Sequence, residues 1–342
     1  MVSDKIGVGI IGLGLISRAH IRGYQEATEG VKIVAVCDIN ESVADVAARN
    51  LGARAYTRHS ELLRDPEVQV VDITVPHNLH YPIAKDAIGA RKHVIIEKPM
   101  TVRAQESLEL IRLARAAAVK FTVAENTPFV AAYCEVDKLI KQQVIGTPRL
   151  IRTLIYGSEV ERLRDVSSWK GRAAGSCGGV IIDAGAHSFF LLKWLFGEFA
   201  TVQATSAKLV EESEVEDHAI VTGRMKSGAI FSTEYTFTAE IPWGERLEVY
   251  GCKGSLIVDQ VCNPPAVHFR NKNDTAGVPI ETVPYDPKEW KMKSIANGVR
   301  DFVEAIRQNR PPRVDSLDGH YAVLVAEKAY ESVAKSGQPL PV

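Results

Sequence analysis

The stretch that decides the fold is Ile6-Gly7-Val8-Gly9-Ile10-Ile11, followed at once by Gly12-Leu13-Gly14-Leu15-Ile16-Ser17. A mostly apolar run ends in closely spaced glycines, and residues 15–27 then carry a helical pattern. Gly12 permits a tight turn, and Gly14 lets a ligand approach the backbone. The helix that follows aims its N-terminal N–H groups, the positive end of its dipole, at whatever sits over the turn. Strand, Gly-x-Gly and helix in this order make a dinucleotide site, with the pyrophosphate at the helix N-terminus. Where a third glycine is usual, this chain has Ser17; the position serves close helix–strand packing, and a small residue substitutes. A second apolar strand, residues 31–36, closes on Asp38. A carboxylate roughly 20 positions beyond the glycines accepts hydrogen bonds from the ribose hydroxyls of NAD and repels a 2′-phosphate. Ile39 and Asn40 add no cation for such a phosphate, so NAD is expected over NADP. Without a ligand the same residues read as a glycine-tightened βαβ unit.

Length and composition bound the rest. A chain of 342 residues suits two domains. A hydrophobic fraction of 46% with 24% charged residues is that of a globular protein, and a net charge of −1 gives no footprint for nucleic acid or an anionic membrane. The start, Met1-Val2-Ser3-Asp4-Lys5, has no basic segment leading into an apolar stretch and cleavage site, so no signal peptide is expected. No apolar run is read as approaching the ~20 residues of a membrane helix. Cys37, Cys134, Cys177, Cys252 and Cys262 are scattered without a C-x-x-C pair. That suits reduced thiols and a cytoplasmic location better than disulfides or zinc. Cys37 is expected to pack in the interior.

Up to residue 124, strands alternate with helices. Strands are expected at 31–36, 68–75, 93–96 and 121–124, with helices at 42–51, 60–64, 81–89 and 104–117 between them. The expected fold class is therefore α/β, beginning with a doubly wound parallel sheet. Ligands of such sheets sit beyond the C-terminal strand ends, where Pro76, His80, Lys98 and Glu125 fall. Lys98 follows an apolar strand and precedes Pro99, which restricts it to an extended backbone. It reads either as a solvated lysine or as a donor to a substrate hydroxyl whose charge favours a developing alkoxide.

From residue 125 to 342 the pattern changes. After a helix at 131–143 come alternating segments at 150–155, 202–207, 218–224, 229–236, 246–250, 255–258 and 267–269. They indicate a largely antiparallel sheet with one open face, to be covered by substrate or a second subunit. Helices at 292–307 and 321–335 close the chain. One apolar helix, from about residue 180 through Phe196, carries Asp183 and His187 at i and i+4, on one face with Val180 and Phe190. The pair reads as a helical ion pair or as a general base, His187 taking a hydroxyl proton while Asp183 steadies the imidazolium or contacts substrate. Two ligands do not complete a zinc set, so no metal is expected. Residues suited to reading substrate hydroxyls are Asn126, Tyr156, Trp169 and Arg172, with His218, Trp243 and His320 behind them.

In combination, these marks make the sequence resemble the Gfo/Idh/MocA family of NAD(P)-dependent oxidoreductases along essentially its whole length. The marks are Gly12-x-Gly14, Pro76 with His80, Glu97-Lys98-Pro99, Gly178-Gly179 before Asp183-x-Gly185-x-His187, Glu216-Asp217, and the closing run to Pro341-Val342. The resemblance implies a Rossmann domain over 1–124 and, over 125–342, an α/β domain with a large, mostly antiparallel open sheet used for dimers or tetramers. It implies a cofactor set of Gly12, Gly14, Leu15, Ile16, Asp38, Pro76, His80, Glu97 and Lys98. Substrate would lie between the nicotinamide and the sheet. Lys98 would bind the reacting hydroxyl, with His187 as acid–base residue assisted by Asp183. Relatives often have a cis bond before Pro99. Two departures stand out: Phe190 where an aspartate is common, and Lys170 where an arginine often follows the tryptophan. The activity implied is oxidation of a secondary hydroxyl of a sugar or an inositol-like cyclitol. The alternatives are a glycosidase or lyase working through a transient 3-keto sugar with retained NAD, and a non-catalytic regulator sensing NAD and sugar.

Overall fold

The structure, a computed structural model, describes residues 5–27, 30–259, 266–272, 274–280 and 289–342, so Cys262 lies outside the described residues. The chain packs as two compact units. One takes the residues through Asn126 together with Lys291–His320; the other takes Thr127–Trp290 together with Tyr321–Val342.

In the first unit the elements run β1 (Ile6–Ile11), α1 (Ser17–Glu26), β2 (Val31–Cys37), α2 (Glu41–Leu51), β3 (Arg54–Tyr56), α3 (His59–Leu62), β4 (Val70–Ile73), α4 (His80–Gly89), β5 (His93–Ile96), α5 (Ala104–Ala117) and β6 (Phe121–Val123). The strands form one six-stranded parallel sheet in the order β3-β2-β1-β4-β5-β6. The order reverses between β1 and β4, which places a ligand crevice at the C-terminal ends of those strands. Strands buried on both faces explain the nearly unbroken apolar runs. Cys37 is buried as expected; burial, with the nearby Asp38 and Glu61 carboxylates, pushes its thiol up to about 12.

A later helix, numbered α10 in chain order (Trp290–Arg307), joins this unit. Its Val299, Phe302 and Val303 enter the core formed by Val8, Ile10, Tyr24, Val36 and Ile95. Gly23 of α1 makes the approach possible, since a Cβ there would stand 2.9 Å from both the Ala296 carbonyl and Val299 Cβ. The contact partner lies some 270 residues away in the chain, which local periodicity cannot reveal.

The second unit holds α6 (Ala131–Lys141), β7 (Pro148–Tyr156), α7 (Val160–Arg164), α8 (Ala173–Ser176), α9 (Val180–Phe196), β8 (Phe199–Ala207), β9 (His218–Met225), β10 (Ile230–Thr236), β11 (Gly244–Gly251), β12 (Ser255–Asp259), β13 (Ala266–Asn271), β14 (Asp274–Ile280) and β15 (Leu340–Pro341). The helix α11 (Ser316–Ala334) belongs to it from Tyr321 onward. Its nine strands lie in the order β14-β13-β12-β11-β7-β10-β9-β8-β15. All neighbours are antiparallel except β7 and β10, which run parallel.

Alternation sorts the sheet's two faces. Ile151, Ile155, Val221, Phe231, Tyr235, Leu247 and Val249 are buried, whereas Leu150, Ile220, Ile230 and Tyr250 are exposed. The apolar helix α9 is core of this unit: Phe189 meets Phe199 and Tyr235 edge-on, with ring centroids 6.3 and 6.4 Å apart. The stretch Ala173–Phe196 is long and apolar enough to cross a membrane, contrary to the expectation from its sequence. Its 78% burial inside the protein explains that composition.

Candidate active site

The glycine turn of the first unit is shaped for a ligand. Gly12 has φ +90°, and a Cβ there would press on the Thr74 carbonyl at 2.6 Å. Gly14 is the opposite case: a Cβ would meet nothing within 4 Å, so the backbone faces open space. The N–H groups of Gly14, Leu15 and Ile16 have no acceptor among the described residues. They lead into α1, whose first turn carries no acidic residue to compete for them. Three donors and an uncompensated helix N-terminus in open space fit a pyrophosphate. Ser17 is buried and its hydroxyl donates to the Gly14 carbonyl at 2.7 Å, so the residue replacing the third glycine also ties the turn.

Asp38 sits just past β2 with its carboxylate fixed on both oxygens. Oδ2 accepts the Leu13 N–H and Oδ1 the Asn40 N–H, each at 2.9 Å. Each oxygen keeps acceptor capacity for a ribose hydroxyl. Asn40 is engaged elsewhere, capping α2 through Ser42 and Val43 N–H.

Beyond β5, Glu97, Lys98 and Pro99 form the turn expected at the strand end, and the Lys98–Pro99 bond is cis. His80 is fully buried beside this turn, its ring nitrogens 2.7 Å from the Pro99 carbonyl and 2.9 Å from the Val75 carbonyl, next to Pro76. Burial holds its imidazole below the ordinary range, against the pull of those two carbonyls. What His80 contributes is the placement of the turn. Sequence reading named Glu97 but missed the residues buried with it: His20, Asp72 and Tyr24. Spacings of 52 and 77 residues give no local signal for them.

In the second unit, Asp183 and His187 are 7% and 6% exposed on α9, low enough that any charge they carry needs a partner. Lys170 supplies one: Nζ is 3.1 Å from Asp183 Oδ2 and 3.3 Å from Glu159 Oε2, and it lies over the Phe237 ring. The departure from arginine after Trp169 thus puts a primary ammonium against the helix's acid. The helix N-terminus is capped from a distant segment. Glu216 accepts the Gly179 and Ile181 N–H groups at 3.0 Å and the Tyr330 hydroxyl at 2.7 Å. Burial raises the Glu216 carboxyl, opposed by these donors. A Cβ on Gly179 would collide with the Glu216 carbonyl, which accounts for the glycine pair before the helix. A small cavity beside His187 is lined by Tyr133, Thr153, Ser188 and Glu245. Thr153 Oγ1 and Ser188 Oγ there are buried without partners among the described residues.

Other residues expected to read substrate fall in varied settings. Asn126 is buried and its amide donates to Ser294 Oγ at 2.8 Å. Tyr156 ends β7, half-buried, opposite Gly244 and Thr236. Trp169 lies beside Gly175. Arg172 reaches the Glu212 carbonyl and Glu214, while Nε and its second amino nitrogen are buried without partners among the described residues. His218 pairs with Asp217 at 2.7 Å, Trp243 donates to Glu245 at 3.4 Å, and His320 meets Ser107 Oγ at 2.7 Å.

Comparisons with known proteins identify both halves of the chain. Residues 6–125 match the family model described as the oxidoreductase family with an NAD-binding Rossmann fold, and residues 133–257 match the GFO/IDH/MocA C-terminal domain. A relative in Synechocystis sp., the uncharacterized oxidoreductase sll0816, is 31% identical, covering 95% of this chain and 93% of its own. The chain belongs to the Gfo/Idh/MocA family. Another member, the myo-inositol 2-dehydrogenase of Thermotoga maritima, is 25% identical over 95% of this chain and 96% of its own. A solved levoglucosan dehydrogenase, in complex with NADH and levoglucosan, matches with a TM-score of 0.89 at 23% identity, covering 99% of each chain. At that identity the likeness is one of fold.

As a Gfo/Idh/MocA oxidoreductase this protein uses NAD, and the donors at Gly14–Ile16 with the carboxylate of Asp38 are the residues fitted to hold it. Phe190, the other departure from the family pattern, is 2% exposed, so an apolar side chain in the interior has replaced the commonly polar one.

Proposed function

We propose that this oxidoreductase is an NAD-dependent dehydrogenase for a secondary hydroxyl of a sugar, sugar derivative or inositol-like cyclitol. The observation that carries the reading is the buried Asp183–His187 pair on α9, with Lys170 held against Asp183. Relatives named inositol and levoglucosan dehydrogenases support the substrate class. Bound NAD would supply a hydride acceptor. Lys98 donates a hydrogen bond to the reacting hydroxyl, and its charge favours the oxygen as negative charge develops there. His187 takes the hydroxyl proton and can pass it on. Asp183, steadied by Lys170, orients the imidazole or holds a neighbouring hydroxyl.

Retention of Lys98, Asp183 and His187 argues against a non-catalytic sensor. The test is a panel of inositols, aldoses, aldonates and glycosides, levoglucosan included, assayed for NADH formation. Stoichiometric NADH supports the dehydrogenase. Substrate consumed without net NADH would instead select the glycosidase or lyase reading. The open sheet face, with Leu150, Ile220, Ile230 and Tyr250 exposed around the Arg152–Glu234 and Arg152–Glu248 pairs, supports a homodimer or homotetramer formed through it. Light scattering on the purified chain tests that assignment, and a monomer would refute it.

A further inference from the structure

The most unusual chemistry outside the proposed catalytic set is the buried group under the Glu97–Lys98 turn. His20, on α1, points Nδ1 at both oxygens of Asp72 (3.0 and 2.9 Å) and Nε2 at Glu97 Oε1 (3.1 Å). Tyr24 donates to Asp72 Oδ2 and the Lys98 N–H donates to Glu97 Oε2, both at 2.9 Å. His20 and Asp72 are 0% exposed and Glu97 6%.

A neutral imidazole donates from one nitrogen and accepts at the other. Here both nitrogens face carboxyl oxygens. With both carboxyls ionised, the ring carries hydrogen on both nitrogens and the cluster has a buried net charge of −1. Burial works against the charged ring, yet Asp72 and Glu97 outweigh it and hold the imidazole up at about 10.

Such clusters are poor stabilisers, because desolvation offsets most of the attraction. What charge-assisted bonds supply is defined geometry. Glu97 can accept from His20 and from the Lys98 backbone together only with the turn in one position. The bonds therefore run from α1, whose N-terminal turn is shaped for a pyrophosphate, to the backbone of the lysine at the end of β5. We propose that His20 is a positioning residue for the reaction: clamped between Asp72 and Glu97, it fixes the Glu97–Lys98 turn to the helix that holds the dinucleotide. The proposal rests on the dehydrogenase reading above.

The test uses His20→Gln, Glu97→Gln and the double variant in the full chain. With the best substrate of the panel, kcat should fall about 10–100-fold in each single variant, the usual scale for a misplaced catalytic group. In His20→Gln, NAD affinity by fluorescence titration should stay within about threefold. The double variant should be no slower than the worse single, as for residues that act as one unit. A folded His20→Gln with wild-type kcat overturns the proposal, as does a loss confined to NAD affinity. Nitrogen-15 NMR of the wild-type His20 ring at about pH 8 should show both nitrogens protonated; a singly protonated ring overturns it even if His20→Gln fails to fold. Wild-type protein that binds NAD and shows the doubly protonated ring, but oxidises nothing on the panel, defeats the dehydrogenase reading instead. The clamp itself then stands.

Discussion

Lys170 Nζ stands 3.1 Å from Asp183 Oδ2 and 3.3 Å from Glu159 Oε2, so two carboxylates from different elements converge on one ammonium. The three side chains are only 10–18% exposed, which limits the solvent screening between them. Removing the ammonium leaves like charges facing each other one helical turn from His187. Lys170→Met should lower kcat about 10–100-fold through misplacement of Asp183. Lys170→Arg keeps the charge and should recover most of that loss. The NAD affinity of both variants should match wild type, because the dinucleotide residues belong to the other unit. Steady-state kinetics with both substrates varied would check this; an unchanged kcat in Lys170→Met would remove Lys170 from the mechanism.

If His187 is the base, His187→Ala should cost about 10²–10⁴ in kcat, the range general acid–base catalysis contributes. Lys98→Met should cost a similar factor while leaving NAD binding nearly intact. Small imidazole added to His187→Ala should restore part of the rate. Full activity in His187→Ala would refute the acid–base assignment.

Asp38 carries two duties in the geometry. Its Oδ2 accepts the Leu13 N–H at 2.9 Å, fixing the glycine turn, and the same carboxylate is the acceptor we propose for the ribose. Losing hydrogen bonds to a charged group should weaken NAD binding about 10–100-fold in Asp38→Ala. Discrimination against NADP should fall further, because the repulsion of a 2′-phosphate goes with the carboxylate. Titration with both dinucleotides separates the two effects. Equal weakening for NAD and NADP would confine Asp38 to the turn.

The parts of this protein that could be read from its sequence are those written in neighbouring residues. The glycine turn, the strand ends bearing Asp38 and Lys98, and the i, i+4 spacing of Asp183 and His187 all rest on short-range geometry. So does helix α5, expected and found at Ala104–Ala117. Short strands with little periodicity escaped notice: Arg54–Tyr56, Asp274–Ile280 and Leu340–Pro341. What sequence pattern could not deliver is long-range pairing. Glu216 caps α9 from 35 and 37 residues away, and α10 reaches α1 only because Gly23 lacks a side chain. Lys170 is just 13 residues from Asp183, yet the short helix α8 and irregular turns lie between them and carry no long period to project a contact from.

The His20 cluster makes stability depend on pH with a definite sign. In the unfolded chain an imidazole titrates near 6.5, whereas here the two carboxylates hold it up at about 10 despite burial. The folded state therefore binds the extra proton more tightly. The corresponding stability is fully present below about pH 6.5 and is lost as pH rises toward 10. Burial and the nearby Asp72 hold the Tyr24 hydroxyl well above its ordinary range, so it does not cancel the trend. Urea unfolding midpoints should fall steadily through the window for the wild type. In His20→Gln this component disappears: the variant is less stable at neutral pH, and its midpoint changes less between the two limits. A wild-type midpoint that stays flat over the same interval would mean the folded cluster holds no extra proton relative to the unfolded chain.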